Sequence, residues 1–170
     1  MGHDLAHGVR LAAGHFAGLP PVGQNGQPLR TSSLIRQLDH VAIAVPSLDE
    51  AVPFYRDVLG LPFLYFEEVT DQKVRVACFD LGGLRLELLQ PSSEDSPISK
   101  FLSQRGAGLH HLAFRTEDVA AELARVRDQG VRLIDETPRQ GAGGMQIAFL
   151  HPKSTQGVLM ELTQPGEHVE

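Results

Sequence analysis

Four residues in this chain have the types and the spacing to do chemistry together. His40 lies in LDHVAIAV and His111 in GLHHLAF, and each histidine is followed by an aliphatic residue and an alanine. Glu87 lies in LRLELLQP and Glu161 in LMELTQP, and the interval between the glutamates nearly equals that between the histidines. Two imidazoles and two carboxylates make a nitrogen and oxygen donor set for one divalent transition-metal ion. The set offsets a 2+ charge and leaves positions open for substrate or water. No single pair is convincing; the fourfold match is.

Alternation along strands separates these four from their neighbours. In LDHVAIAV, Val41, Ile43 and Val45 share one face, and His40, Ala42 and Ala44 share the other. Small alanines beside one histidine leave room for a cavity and keep a ligand in it. In GLHHLAF, His111 and Ala113 take that face, while His110 falls in phase with Leu112 and Phe114 and is expected to be structural. Glu161 shares a face with Leu159 and Thr163, and Glu87 with Arg85. A mid-strand carboxylate flanked by leucines is costly to bury without a partner. The alternatives are a solvated outer face for Glu161 and an exposed ion pair with Arg85 for Glu87.

The elements that must position these residues recur as well. VAIAV and LAFRT each lead into an amphipathic helix that closes at a glycine, Gly60 or Gly130. Ser47 and Asp118 stand equally far past their histidines and suit N-caps; Ser47 with Glu50 makes a capping box. Val52, Tyr55 and Leu59 mark the buried face of the first helix, and Val119, Leu123 and Val126 that of the second. LPFLYFEEV and KVRVACFDLGGLRLELLQP follow as strands in the first half, with a hairpin at Gly82-Gly83. VRLIDE, MQIAFLHP and GVLMELTQP follow in the second. The expected fold is α+β: paired β-α-β-β-β modules forming a curved, cup-like mixed sheet around a metal site. The domain is expected over 37–165, with module one at about 38–91, a linker at 92–107, module two at about 108–165, and a C-terminal tail at 166–170.

Residues 1–36 are rich in Gly, Pro and small polar residues, lack periodicity, and read as a flexible N-terminal extension in which His3, His7 and His15 are solvated. The segment lacks the apolar core of a secretory signal. Arg10, Arg30 and Arg36 with one acid, Asp4, leave a transit peptide beside a plain tail. The expected location is cytoplasmic, with the mitochondrial matrix as the alternative. A net charge of −6 argues against nucleic acid and anionic membrane as partners. No apolar run is long enough to span a bilayer. The single cysteine, Cys78, fits a reducing compartment, and within KVRVACF it reads as a small strand residue.

The stretches DHVAIAV, ELLQP with DSPISKFL, GLHHLAF, GVRLIDETPRQGAGG and IAFLHPKSTQGVLMEL resemble the vicinal oxygen chelate superfamily, and within it the methylmalonyl-CoA epimerase family. The resemblance covers about Leu38 to Gln164, and LHPKS-x-x-GVL-x-E is its most specific segment. It implies metal ligation by His40, His111 and Glu161, with Glu87 where some members carry a glutamine ligand. It implies one divalent ion, Co²⁺ first and Mn²⁺, Ni²⁺ or Zn²⁺ otherwise, an acyl-CoA substrate and a homodimer. The implied reaction is epimerisation of (2R)- and (2S)-methylmalonyl-CoA by C2 proton abstraction through a metal-stabilised enolate, with Glu161 as the candidate base on one face. Some members carry a second catalytic glutamate where this chain has Val76, which leaves either another group, such as Glu67, Glu68 or Glu87, for that role or a scheme without two carboxylates. Gly143 and Gly144, in RQGAGGMQ, offer backbone N–H groups to substrate oxygens or form a plain hairpin loop. Lys153 and Ser154 stand as substrate contacts within the signature, Lys153 alternatively as a surface charge. The rival readings are a glyoxalase I-like lyase acting on a glutathione hemithioacetal and a metal-free small-molecule-binding module. LHPKS and HHLAF argue against the first, and the retained ligand set against the second.

Overall fold

A computed structural model of the chain describes residues 35–166. The expectations for the N-terminal extension, its histidines and the C-terminal tail lie outside the described residues, apart from the boundary positions. At one boundary β1 (Ile35–Ala44) begins two residues earlier than expected. Ile35 pairs with Thr116, and Arg36 forms an ion pair with Glu117 at 2.8 Å.

The chain continues as α1 (Leu48–Pro53), β2 (Phe63–Val69), β3 (Val74–Asp80), β4 (Arg85–Pro91), α2 (Pro97–Arg105), β5 (Gly108–Thr116), α3 (Val119–Asp128), β6 (Arg139–Gln140), β7 (Gln146–Leu150) and β8 (Leu159–Gln164). The strands form one eight-stranded sheet in the order β2-β3-β4-β1-β5-β8-β7-β6. That order is two copies of one module placed back to back. β1 runs parallel to β4, β5 runs parallel to β8, and β1 and β5 join the modules antiparallel.

Both helices that cross the sheet are built the same way. The Ser47 hydroxyl accepts from the Glu50 N–H, and the Asp118 carboxylate from the Ala121 N–H. The glutamines that end LELLQP and MELTQP add a second cap. Gln90 Oε1 accepts from the Leu48 N–H at 2.7 Å and Gln164 Oε1 from the Val119 N–H at 2.5 Å. The repeated glutamine therefore ties the last strand of each module to the start of its helix, satisfying a helix N–H that has no partner within the helix.

Under α1, Leu48 and Val52 pack on Val45, Phe79, Leu86 and Leu88, with Val41 and Ile43 beside them. Under α3, Val119, Leu123 and Val126 pack on Ala148, Leu150 and Leu162. The opposite, concave face of module one carries Ala42, Ala44, Val74, Val76 and Leu89, closed by Ile98 of α2. The strand faces therefore divide as their alternation predicts.

Two expectations fail locally. α1 stops after six residues, because Pro53 has no N–H to continue the ladder, and the chain goes on as a π-turn over Phe54–Val58. The wider turn rotates the face, leaving Leu59 51% exposed and Tyr55 against the core. The segment VRLIDE is not a strand. It makes one bridge, Leu133 to Leu150, while the Asp135 carboxylate takes the Phe149 N–H that a regular ladder would use. The strand of this region is the short β6, just beyond Pro138. The Gly82-Gly83 hairpin forms as expected, both glycines with positive φ and the Leu81 N–H donating to the Leu84 carbonyl.

Candidate metal and active site

The register of the central strands places the four residues. Across β1 and β5, His40 faces Ala113 and Ala42 faces His111. On the outer sides, Ala42 pairs with Glu87 on β4, and Ala113 pairs with Glu161 on β8. Each glutamate thus stands one alanine away from the histidine of the other module. The alanines leave the volume into which the longer side chains converge.

His40 Nε2 lies 3.1 Å from His111 Nε2. Glu161 presents one oxygen to each ring, Oε2 at 3.3 Å from His111 Nε2 and Oε1 at 3.9 Å from His40 Nε2. Ligand atoms of His40, His111 and Glu161 all lie within 4.8 Å of one another, and all three residues are buried. The donor set fits a divalent ion: two imidazole nitrogens and a carboxylate, brought together from three strands. Glu87 sits at the edge of this set. Its Oε2 is 3.7 Å from His40 Nε2, and its Oε1 is 3.8 Å from Arg85 Nη1, so the ion pair with Arg85 and the approach to the cluster coexist.

Within the cluster the charges hold one another. Burial works to lower the pKa of His40, but the Glu87 charge, the Asp39 hydrogen bond and the Glu161 charge outweigh it and raise it. Burial works to raise the pKa of Glu161, and the hydrogen bond and charge of His111, with His40 and Arg139, lower it instead. His110 moves the other way. Burial, helped by the neighbouring His111, lowers it to about 4.

Sequence alternation missed two neighbours of the histidines, and for one reason. β-bulges sit in the β1–β5 ladder at Leu38–His40 and at Ala42–Ile43, each with an unpaired extra residue. The first bulge brings Asp39 to the His40 side, where its carboxylate is 2% exposed and lies 3.0 Å from His40 Nδ1. Arg85 and Arg115 close on the same carboxylate. The second bulge turns His110 out of its expected phase. It lines the cavity, and its Nδ1 is 2.8 Å from His111 Nδ1. The legible signal for Asp39 is an acid immediately before a ligand histidine; strict alternation discounts it.

The cluster opens into a cavity of about 580 Å³. Val74, Val76, Leu89 and Ile98 give it an apolar wall; Arg85 and Arg139 bring cations. Thr163, on the Glu161 strand, also lines it, and its buried hydroxyl is without a hydrogen-bond partner among the described residues, leaving it available to a ligand. Val76 is 2% exposed within this apolar wall and brings no ionisable group to it.

Several candidates stand elsewhere. Gly143 and Gly144 do not line the cavity, and the Gly143 N–H donates to the Glu67 carboxylate at 2.9 and 3.0 Å. Glu67 thereby clips the Ala142–Gly144 turn to β2 and is occupied; Glu68 is exposed and also absent from the wall. Lys153 and Ser154 form a short 3₁₀ turn outside the cavity, where the Lys153 N–H donates to His151 Nδ1 and the Ser154 hydroxyl accepts from the Arg132 N–H. Cys78 is a buried thiol raised to about 11 by burial and the Glu87 charge, in keeping with a strand residue rather than a nucleophile.

The pattern of the Glyoxalase/Bleomycin resistance protein/Dioxygenase superfamily matches residues 39–149. The chain is 50% identical over 131 residues to the uncharacterized protein YqjC of Bacillus subtilis (strain 168), covering 77% of this chain and 94% of that one. It is 36% identical over 166 residues to the mitochondrial methylmalonyl-CoA epimerase of Homo sapiens, covering 94% of each. A solved methylmalonyl-CoA epimerase from Mycobacterium tuberculosis superposes with a TM-score of 0.76 at 44% identity, over 79% of this chain and 91% of that one. A methylmalonyl-CoA epimerase solved in complex with methylmalonyl-CoA and NH4+ gives 0.73 at 42% identity, over 80% and 98%. The chain belongs to the Glyoxalase/Bleomycin resistance protein/Dioxygenase superfamily and, within it, to the methylmalonyl-CoA epimerase family.

Proposed function

We propose that the chain is a metal-dependent methylmalonyl-CoA epimerase, interconverting the (2R) and (2S) epimers by removing and returning the C2 proton. The observation that carries this is the buried His40, His111 and Glu161 cluster at the wall of a large cavity, in a member of this family. The C2 proton of the substrate lies between a thioester and a carboxylate, so its loss leaves negative charge on oxygens. When bound, a divalent ion held by His40, His111 and Glu161, with Glu87 at the edge, supplies the positive charge that favours this ionisation. We assign Co²⁺ by resemblance to the family, with Mn²⁺, Ni²⁺ or Zn²⁺ as alternatives, because a mixed nitrogen and oxygen set suits several ions.

Epimerisation needs proton acceptors and donors on both faces of a planar intermediate. Glu161 serves one face. Its two oxygens look toward different rings, so one holds its place while the other reaches a substrate proton. The second face falls to Glu87. Val76 offers no acid there, Glu67 is engaged by Gly143, and Glu87 is the acid in the cavity wall next to the cluster.

The protein also exposes Phe54, Leu64 and Phe66 on the π-turn and the edge strand β2, which supports a homodimer covering that side; sedimentation mass decides it. A buried free thiol fits a cytoplasmic site of action. No helix among the described residues is long and apolar enough to cross a membrane.

Proton NMR of (2S)-methylmalonyl-CoA in D₂O with metal-loaded protein tests the function. Loss of the C2 proton signal, with a glutathione hemithioacetal left unchanged, is the expected result. An inert C2 proton, or turnover of the hemithioacetal, overturns it.

A further inference from the structure

We propose that His110 is a positioning residue that accepts the Nδ1 proton of His111, fixing the tautomer that turns a free Nε2 lone pair to the centre of the cluster. The inference rests on the reading of His111 as a metal ligand. Its basis is a geometry that the chain builds twice. In module one, a bulge places Asp39 beside the histidine that follows it, with Asp39 Oδ1 at 3.0 Å from His40 Nδ1. In module two, a bulge places His110 beside the histidine that follows it, with Nδ1 to Nδ1 at 2.8 Å. In regular strands these neighbours point to opposite faces. Both modules break that rule at the matching residue, with the same outcome: a partner on Nδ1 and Nε2 directed inward, where His40 and His111 approach at 3.1 Å.

Packing holds both rings of the second pair in this pose. Phe101 meets His110 edge to face at 4.9 Å, and Phe149 meets His111 edge to face at 5.3 Å. A metal-ligating histidine needs such an Nδ1 partner, because the proton must sit on one nitrogen for the other to coordinate. The two partners differ in kind. Asp39 is a carboxylate anchored by Arg85 and Arg115, whereas His110 is an imidazole with no cationic side chain bonded to it among the described residues. A carboxylate makes a ligand imidazole more electron-rich than a neutral acceptor does, so the duplicated site holds two unequal histidine ligands.

The first measurement is ¹⁵N NMR of histidine rings in the Zn²⁺-loaded wild-type protein, where the His111 Nε2 is engaged by the ion rather than hydrogen-bonded to Glu161. It is expected to show His111 carrying its proton on Nδ1; a proton on Nε2 alone overturns the proposal. The second is Co²⁺ affinity and visible absorption of wild type, His110→Leu and His110→Asn. Leu cannot accept the proton, while the Asn side-chain carbonyl stands close to the lost Nδ1. His110→Leu is expected to weaken Co²⁺ binding by about 10–100-fold and shift the absorption bands, and His110→Asn to restore most of both. Equal affinity for wild type and the Leu variant overturns the proposal. So does an Asn variant as weak as the Leu variant, which reduces His110 to packing. A wild-type protein that binds neither Co²⁺, Zn²⁺ nor any other divalent ion defeats the metal reading, and this proposal falls with it.

Discussion

Glu161 fills two places that conflict chemically. A carboxylate held by cations has its pKa depressed, and a depressed pKa makes a weak base. The strand geometry eases the conflict, because its oxygens stand apart, one at 3.3 Å from His111 and the other at 3.9 Å from His40. Glu161→Gln keeps an oxygen for coordination and loses the base. It is expected to retain weak metal binding while C2 exchange from one epimer falls by about 10²–10⁴-fold. Glu87→Gln is expected to show the same loss from the other epimer. Equal, mild slowing of both epimers in both variants would make these residues ligands only. At this scale the sequence is informative wherever alternation holds, which is why His40, His111 and Glu161 come together and Glu87 stands at their edge. It was misleading at Asp39 and His110, because a bulge adds one residue and leaves no mark in the pattern of side-chain types. Loop contacts were equally hidden: nothing in RQGAGG says that the Gly143 N–H is taken by Glu67.

At the scale of elements, the site depends on what the central strands leave out. Ala113 lies between His40 and Glu161 in register and is fully buried, as is Ala42 between His111 and Glu87. A larger side chain at either place occupies the volume where the ligands meet. Ala113→Leu is therefore expected to cost about 1–3 kcal/mol in denaturant unfolding and to remove metal binding, although it touches no ligand atom of its own. A variant with normal metal affinity would show that the alanine row is incidental. Strands and helices with strong periodicity and caps were legible, including both N-caps and the Gly82-Gly83 hairpin. The second strand of module two was not. Its apolar alternation is real, but Asp135 and Pro138 replace ladder bonds with a side-chain contact and a break. In α1 the capping box was legible and the early stop at Pro53 was not anticipated.

At the scale of the molecule, the two modules are tied together through a buried charge network as well as a sheet. Asp39 joins His40 and Arg85 of module one to Arg115 of module two. Burial alone would raise the Asp39 pKa, but the hydrogen bonds from His40, Arg85 and Arg115 and the Arg85 charge hold its carboxyl well below the usual carboxylate range. A folded-state pKa below the unfolded value stabilises the fold fully above the unfolded pKa, about 4, and that contribution is lost as pH falls further toward the folded value. Melting temperature is thus expected to fall below about pH 4. Asp39→Asn is expected to be less stable than wild type at neutral pH and to lose less on acidification. A parallel decline of both proteins would show that Asp39 does not carry the acid sensitivity. The duplicated sequence made the two-module arrangement legible, but not this link across it. Dependence of the chemistry on one ion at the junction of the modules is tested by the rate of C2 deuterium exchange in methylmalonyl-CoA as Co²⁺ is titrated into metal-stripped protein. Almost no exchange is expected at the start, followed by a rise that levels off at one ion per chain; full exchange before any ion is added would overturn the metal dependence.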